Sequence, residues 1–182
     1  MDSIIQFLYE IGQLKNAPRS GWWTVRAPRE SVAEHVYRTA IIAQILAKMA
    51  KLSEKEELLL VKGALYHDMH EARISDLHLI AKHYVKSDEK QCEKEQIAKL
   101  PKEIREDVNK SLNLPEKLQI YLKDADKLEC AITAKEYLDL GYKTKDWISN
   151  TRKILKSKEA KLLFEKMQTE SSLKWLSEER RK

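Results

Sequence analysis

The chain has 182 residues, 42% of them hydrophobic, with only four glycines and four prolines, a composition that indicates one mostly helical domain able to bury a core. Basic and acidic residues number 34 and 29 and are interleaved along the chain, so the formal charge of +5 does not predict a nucleic-acid-binding stripe. No membrane-spanning run or signal peptide is recognisable, and Cys92 and Cys130 are far apart, so we expect a cytoplasmic protein with free thiols and no membrane partner.

The N-terminal third begins with a predicted amphipathic helix and a loop. Residues 3–14 place their apolar side chains on one helical face, at Ile4, Ile5, Leu8 and Ile11. The next stretch, KNAPRSGWWTVRAPR, has its glycine and prolines at turn positions and is predicted to be a loop. Two adjacent tryptophans and three arginines make its composition unusual for a loop.

Two capping boxes predict where the next helices begin. Ser31 is followed three residues later by Glu34, and we expect the helix that they open to run to about Met49. Ser53 and Glu56 repeat the pattern before the apolar residues 58–66.

The second half of the chain predicts further helices and no significant sheet. We expect an all-α bundle of seven to nine helices, forming a single domain over residues 1–182, with a core over about 3–170 and a last helix reaching 179. One predicted helix covers about residues 84–98, and another begins at Pro101. A long helix runs from Pro115 to about residue 140 and ends at Gly141. Two more cover residues 146–156 and 158–179.

Histidines and aspartates on separate predicted helices indicate a metal site. His35 follows a capping box, the pair His67–Asp68 ends another helix, and Asp126 lies inside a third, with Asp124 as its rival. Each residue alone is a weak signal, but two imidazoles and two carboxylates together suit Mn, Co, Fe, Ni or Zn with open coordination positions. A bound divalent ion lowers the pKa of its water, which supplies a hydrolase with a nucleophile.

Four longer strings extend this pattern: PRSGWW, ESVAEHVYRTAIIA, LYHDMHEARISD and KDADKLECAITAKEYLD. In type and order they resemble the HD-domain metal-dependent phosphohydrolases, and within them the branch of small proteins with 5'-deoxynucleotidase activity. The resemblance covers about residues 3–170. It implies a helical HD fold, one divalent transition metal, hydrolysis of deoxyribonucleoside 5'-monophosphates to deoxynucleoside and phosphate, and a homodimer.

The resemblance also implies roles for individual residues. Glu71 and Asp76 match the branch's catalytic acids, which face the metal-bound water and the phosphate, and either one could be the base or the acid. Glu129, one turn after Asp126, is either an acid that supports the site or a surface charge. The implied metal ligands are His35, His67, Asp68 and Asp126.

Two positions depart from the branch. Ser75 stands where a glycine is usual before Asp76, which puts in doubt the turn that aims this acid. His70 is an added imidazole, which we expect to be exposed, with a supporting role in the site as the alternative.

The resemblance gives the tryptophan-rich loop a role in substrate binding. Arg19 would contact the phosphate, because a guanidinium is planar, permanently charged and bidentate. Trp22 would pack against the sugar and collide with a ribose hydroxyl while tolerating deoxyribose. Trp23 is the rival for this contact, since the spacing between arginine and tryptophan varies in the branch.

Two other functions remain open at this point. One is an HD hydrolase of a different phosphoester, such as a phosphodiester, a nucleoside triphosphate or an alarmone, for which the lysines of residues 81–99 would supply extra charge. The other is a catalytically silent HD domain that binds a nucleotide or a protein. The presence of all four ligands and both acids favours an enzyme. The C-terminal helices either close the core or form a dimer face.

Overall fold

A computed structural model describes residues 2–180, within which the chain forms ten α-helices. This range contains no β-strand, so the predicted all-α fold is confirmed. Eight helices have ten residues or more, within the expected number, and the other two are short. The helices are α1 (Asp2–Ile11), α2 (Val32–Met49), α3 (Glu54–Tyr66), α4 (Glu71–Ile74), α5 (Glu89–Ala98), α6 (Lys102–Leu112), α7 (Glu116–Asp139), α8 (Lys145–Ile154), α9 (Lys158–Thr169) and α10 (Lys174–Glu179).

Both predicted capping boxes start helices where expected. The Ser31 hydroxyl accepts the Glu34 amide N–H at 3.2 Å, and the Glu34 carboxylate accepts the Ser31 amide N–H at 2.6 Å. Ser53 and Glu56 make the same reciprocal pair at the start of α3. These bonds satisfy amide groups that the first helical turn leaves unpaired and fix the first residue of each helix.

The main core lies where α2 packs against α3 and α7. Leu118 and Leu128 of α7 are buried, as their helical spacing predicted. Gly63 lets α3 approach the residues that follow α6, because a Cβ there would lie 2.8 Å from Leu114 Cδ1. The packing of α2 against α3 and α7 brings the end of α3 and the middle of α7 beside the start of α2.

Some boundaries differ from the predictions. The loop after α1 contains a 3-10 helix at Ser20–Val25, and α5 begins later than expected because Asp88 caps it. The predicted helix over 158–179 is broken into α9 and α10. In the gap, the amide and hydroxyl of Ser172 donate to Asp139 Oδ2 at 3.1 and 2.8 Å, which redirects the chain.

The apolar residues of the C-terminal helices divide between core and surface. Phe164 is 1% exposed and belongs to the main core, whereas Leu162, Leu173 and Trp175 are more than half exposed. None of the helices within residues 2–180 is long and apolar enough to cross a membrane.

Candidate metal and substrate site

Three helices bring the four predicted ligands together. His35 lies in the first turn of α2, His67 and Asp68 follow α3, and Asp126 lies within α7. His67 Nε2 is 3.1 Å from Asp68 Oδ2, and His35 Nε2 is 3.5 Å from the same oxygen and 3.3 Å from Asp126 Oδ1. The structure therefore brings His35, His67 and Asp68 together, with ligand atoms within 4.8 Å of one another, and places Asp126 beside His35.

The orientation of the two imidazoles fits a divalent metal. His35 Nδ1 is held by Glu129 Oε2 at 2.5 Å, and His67 Nδ1 by the Ala64 carbonyl at 2.8 Å. Both Nε2 atoms are buried, and within the described chain neither has a hydrogen-bond partner. Metal-binding histidines typically have one ring nitrogen fixed by the protein and the other aimed at the ion.

The carboxylates of this cluster favour the protonated form of both imidazoles. Although burial opposes it, the nearby carboxylates of Asp126 and Glu129 raise the pKa of His35 to about 9. The charge of Asp68 likewise raises the pKa of His67 despite its burial, and the two imidazoles help to hold the pKa of both aspartates below the usual range. Metal binding would displace these protons, because only neutral imidazoles act as ligands.

Glu71 is placed to handle protons. It is 7% exposed, and its Oε2 atom is buried without a hydrogen-bond partner in the described chain. Burial, together with the negative charges of Asp68 and Asp76, raises the pKa of Glu71 to about 9. Such a carboxyl has the high proton affinity expected of a catalytic acid or base.

Asp76 anchors the tryptophan-rich loop. Its Oδ2 accepts the Ser20 amide N–H at 2.7 Å, and the Ser20 hydroxyl donates to the Asp76 carbonyl at 2.7 Å. Ser75, directly before Asp76, has φ of 64° and ψ of 162°, a backbone conformation that normally requires glycine. The serine therefore preserves the direction of Asp76 at the cost of backbone strain.

The prediction that His70 is exposed was wrong. The residue is 7% exposed, its Nδ1 lies 3.5 Å from Glu93 Oε1, and one of its ring nitrogens lies within 4.8 Å of carboxylate oxygens of Asp68 and Glu71. Helix α5 covers this side of the site, and the polarity of its sequence gave no sign of that contact. The alternative prediction, a supporting role in the site, agrees with this placement.

Glu129 is the centre of a buried polar network. It is fully buried, and besides its bond to His35 it accepts Arg38 Nε at 3.0 Å. The Thr133 hydroxyl lies 3.0 Å from Glu129 Oε1 and 3.2 Å from Glu30 Oε1. These contacts exclude the reading of Glu129 as a surface charge and give it a role in orienting His35.

We expect Glu129→Gln to weaken metal binding by about 10- to 100-fold, the usual cost of losing a carboxylate behind a ligating histidine. The measurement is metal affinity by competition with a chelator. Glu136→Gln is the matched control, because Glu136 also accepts Arg38, at 2.7 Å, but has no contact with His35. Equal affinities in the two variants would contradict the role assigned to Glu129.

The rival aspartate, Asp124, has a structural role. It is buried, and it accepts the amide N–H groups of Lys156 and Ser157 at 3.0 and 2.6 Å, just before α9 begins. Its carboxylate therefore holds the start of α9 while Asp126, two residues later, faces the histidines.

A cleft of about 620 Å³ opens onto the cluster and is lined by Asp68, Glu71, Asp76 and Asp126. Arg19 lies in its wall, with Nη1 3.7 Å from Asp68 Oδ2 and 3.9 Å from Asp76 Oδ1. These carboxylates raise the pKa of the Arg19 guanidinium despite its burial. A permanently charged donor thus lies beside the proposed metal site.

Of the two adjacent tryptophans, only Trp22 lines the cleft. Its ring is 2% exposed, packs edge-on against Tyr137, and donates from Nε1 to Glu30 Oε2 at 2.6 Å. Trp23 is 57% exposed and does not line the cleft. This geometry favours Trp22 over Trp23 for the sugar contact.

Sequence reasoning missed several residues in the cleft wall. Lys127 lines it and donates to Asp126 Oδ2 at 2.9 Å, and its place directly after a predicted ligand was a usable signal. Trp147 and Asn150 of α8 also line it. Nothing in their local pattern separated them from ordinary core and surface positions.

The chain belongs to the HD-domain family, whose model matches residues 11–168. Among curated proteins it is similar to human 5'-deoxynucleotidase HDDC2, with 33% identity over 150 residues that cover 78% of this chain and 71% of the human protein. The protein of the same name from Dictyostelium discoideum is 29% identical over 151 residues, covering 75% of this chain and 78% of that protein.

A solved structure of the genomics target APC5600 is 36% identical, with a TM-score of 0.82, and the match covers 96% of this chain and 99% of that one.

Proposed function

We propose that this protein is a metal-dependent phosphohydrolase that converts deoxyribonucleoside 5'-monophosphates to deoxynucleosides and phosphate. The observation that carries the proposal is the pair of buried, unpartnered imidazole nitrogens facing two carboxylates at a cleft with an arginine in its wall. The similarity to curated 5'-deoxynucleotidases supports the choice of substrate.

One divalent transition metal would be held by the four clustered side chains. Co, Mn, Zn, Fe and Ni all suit this donor set. When bound, the metal neutralises phosphate charge and makes water a nucleophile near neutral pH. The ligands would be His35, His67, Asp68 and Asp126.

The protein's own groups would position the phosphate and move the protons. Arg19 would bind phosphate oxygens, and the half-exposed Lys127 would add a second positive charge at the cleft. With the positive charge of a divalent ion nearby, Glu71 would be ionised and would take the proton of the attacking water. Asp76 would fix the Ser20 loop and relay to the leaving 5' oxygen the proton that Glu71 takes from the water.

Phosphate release from a panel of 5'-monophosphates tests this function. The panel contains deoxy- and ribonucleotides and is run on metal-stripped protein with and without added Co²⁺, Mn²⁺ or Zn²⁺. Metal-dependent release from the deoxy set is the expected result. No release from any monophosphate by metal-loaded protein would overturn the proposal, and diesters and triphosphates would then be assayed.

We expect Trp22→Phe to relax discrimination against ribonucleotides. A pocket that rejects one added hydroxyl typically gives a ratio of kcat/KM values of about 100. The smaller phenylalanine ring should lower this ratio by about tenfold. The measurement is the ratio of kcat/KM for dAMP and AMP. Trp23→Phe is the matched control, since Trp23 lies outside the cleft. If the ratio is unchanged in Trp22→Phe, another residue discriminates between deoxyribonucleotides and ribonucleotides.

We also propose that residues 1–182 form one domain and that the protein is a cytoplasmic homodimer. The free thiols of Cys92 and Cys130 agree with a reducing compartment. An exposed apolar row on α2, at Tyr37, Ile41 and Ile45, is available to a second copy. Sedimentation equilibrium measures the assembly, and a monomer mass at micromolar concentration would contradict the dimer.

A further inference from the structure

One face of α8 forms a wall of the same cleft that contains the candidate metal ligands. Trp147, Asn150, Thr151 and Ile154 line it, at the spacing of residues that share a helical face. The proton and phosphate steps described above use none of these residues. Thr151 bonds to the Trp147 carbonyl at 2.9 Å within the helix, which leaves the other three to contact a ligand.

The Trp147 side chain offers an aromatic surface and a free donor. Its ring lies 5.5 Å from that of Trp22 at an angle of 36°, so the two indoles adjoin in the cleft wall. Unlike Trp22, it is only partly buried. Its indole N–H lies near Gly21 and makes no hydrogen bond to any described residue.

Asn150 and Ile154 complete the surface with a polar and an apolar group. Asn150 is exposed, and its carboxamide has no hydrogen-bond partner in the described part of the chain. Ile154 is 49% exposed although it lies in the cleft. A ring face, an unpaired amide and an aliphatic side chain form a combination that binds a planar heterocycle with donors and acceptors on its edge.

We propose that this face of α8 is a nucleobase-binding subsite. The inference rests on the proposed function and deepens it by assigning the base. With the phosphate at Arg19 and the sugar at Trp22, Trp147 is the next aromatic group along the wall. The cleft volume of about 620 Å³ lies within the range of sites that hold a small ligand. Asn150 pairs with the base edge, and Trp147 and Ile154 contact its faces.

The test compares substrates with and without a base. Values of kcat/KM are measured for dAMP, dGMP, dCMP, dTMP and 2-deoxyribose 5-phosphate, with Asn150→Leu as the main variant. We expect the variant to lose at least about fivefold more on its preferred nucleotide than on the base-free substrate, the loss typical of one amide–base pair. Equal losses on all five substrates, or none, would overturn the subsite.

Asn109→Leu makes the same substitution on α6, outside the cleft, and should keep the wild-type substrate ratios. A second measurement does not need turnover: calorimetry of deoxyadenosine and thymidine binding to the metal-loaded protein. Weaker binding to Asn150→Leu and to Trp147→Phe supports the subsite, and wild-type affinity in both variants refutes it. If wild-type protein binds deoxynucleosides but hydrolyses no monophosphate, the proposed reaction fails and the subsite stands.

Discussion

Replacing Asp68 by alanine should abolish metal binding and phosphate release together. Asp68 Oδ2 lies within 3.5 Å of both unpartnered histidine nitrogens and 3.7 Å from Arg19, so this one carboxylate contacts both the metal cluster and the proposed phosphate site. Its removal deletes a ligand and leaves positive groups facing one another. We expect less than one metal ion per ten chains by elemental analysis, and phosphate release at the metal-free background.

The control for this variant is Asp107→Ala. Asp107 is an exposed aspartate on α6 that pairs with Lys62 at 2.7 Å, and surface pairs of this kind contribute little to stability. Circular dichroism shows whether both variants remain helical. A folded Asp68→Ala protein with a full complement of metal and normal turnover would remove Asp68 from the ligand set.

The helical framework could be predicted because its signals are local. Each capping box places its serine and glutamate three residues apart, and the structure forms both as predicted. The position of His35 in the first turn of α2 could be predicted for the same reason, because the first capping box fixes where α2 begins. The resemblance then supplied the combination of ligands, which no local rule contains.

The features that were missed depend on contacts between distant segments. His70 is buried because α5 packs over it: Cys92, 22 residues later in the chain, donates to the His70 carbonyl, and Gln96 donates to the carbonyl of the neighbouring Met69. The Trp22–Glu30–Thr133 network joins a loop to the middle of α7, more than 100 residues away. Hydrophobic periodicity describes one helix at a time, so it cannot indicate which helix covers a given side chain.

The residues of α8 that line the cleft could not be predicted from the sequence either. In the sequence, Trp147 is an apolar residue of an amphipathic helix and Asn150 is a polar one, and each suits an ordinary position. Only the packing of α8 against α7 turns that face towards the ligand cluster. Residues that contact a substrate through the fold, without a motif, therefore require the structure.

Replacing Glu71 by glutamine should separate catalysis from metal binding. The amide keeps the size of the side chain but cannot take a proton, and loss of a general base or acid typically lowers kcat by about 100- to 10,000-fold. Because Glu71 is outside the four-ligand cluster and its Oε2 has no partner in the described chain, we expect metal content and KM to change far less than kcat. Steady-state kinetics and elemental analysis measure the two effects on the same sample.

Glu95→Gln is the matched control, because Glu95 pairs with Arg73 at 2.7 Å on the surface and does not line the cleft. Its kcat should stay within about twofold of wild type, as for most surface substitutions. A glutamine at position 71 that binds metal and turns over at the wild-type rate would exclude Glu71 from proton transfer. Asp76, the other predicted catalytic acid, would then be the residue to replace, and asparagine would preserve the acceptor for the Ser20 amide.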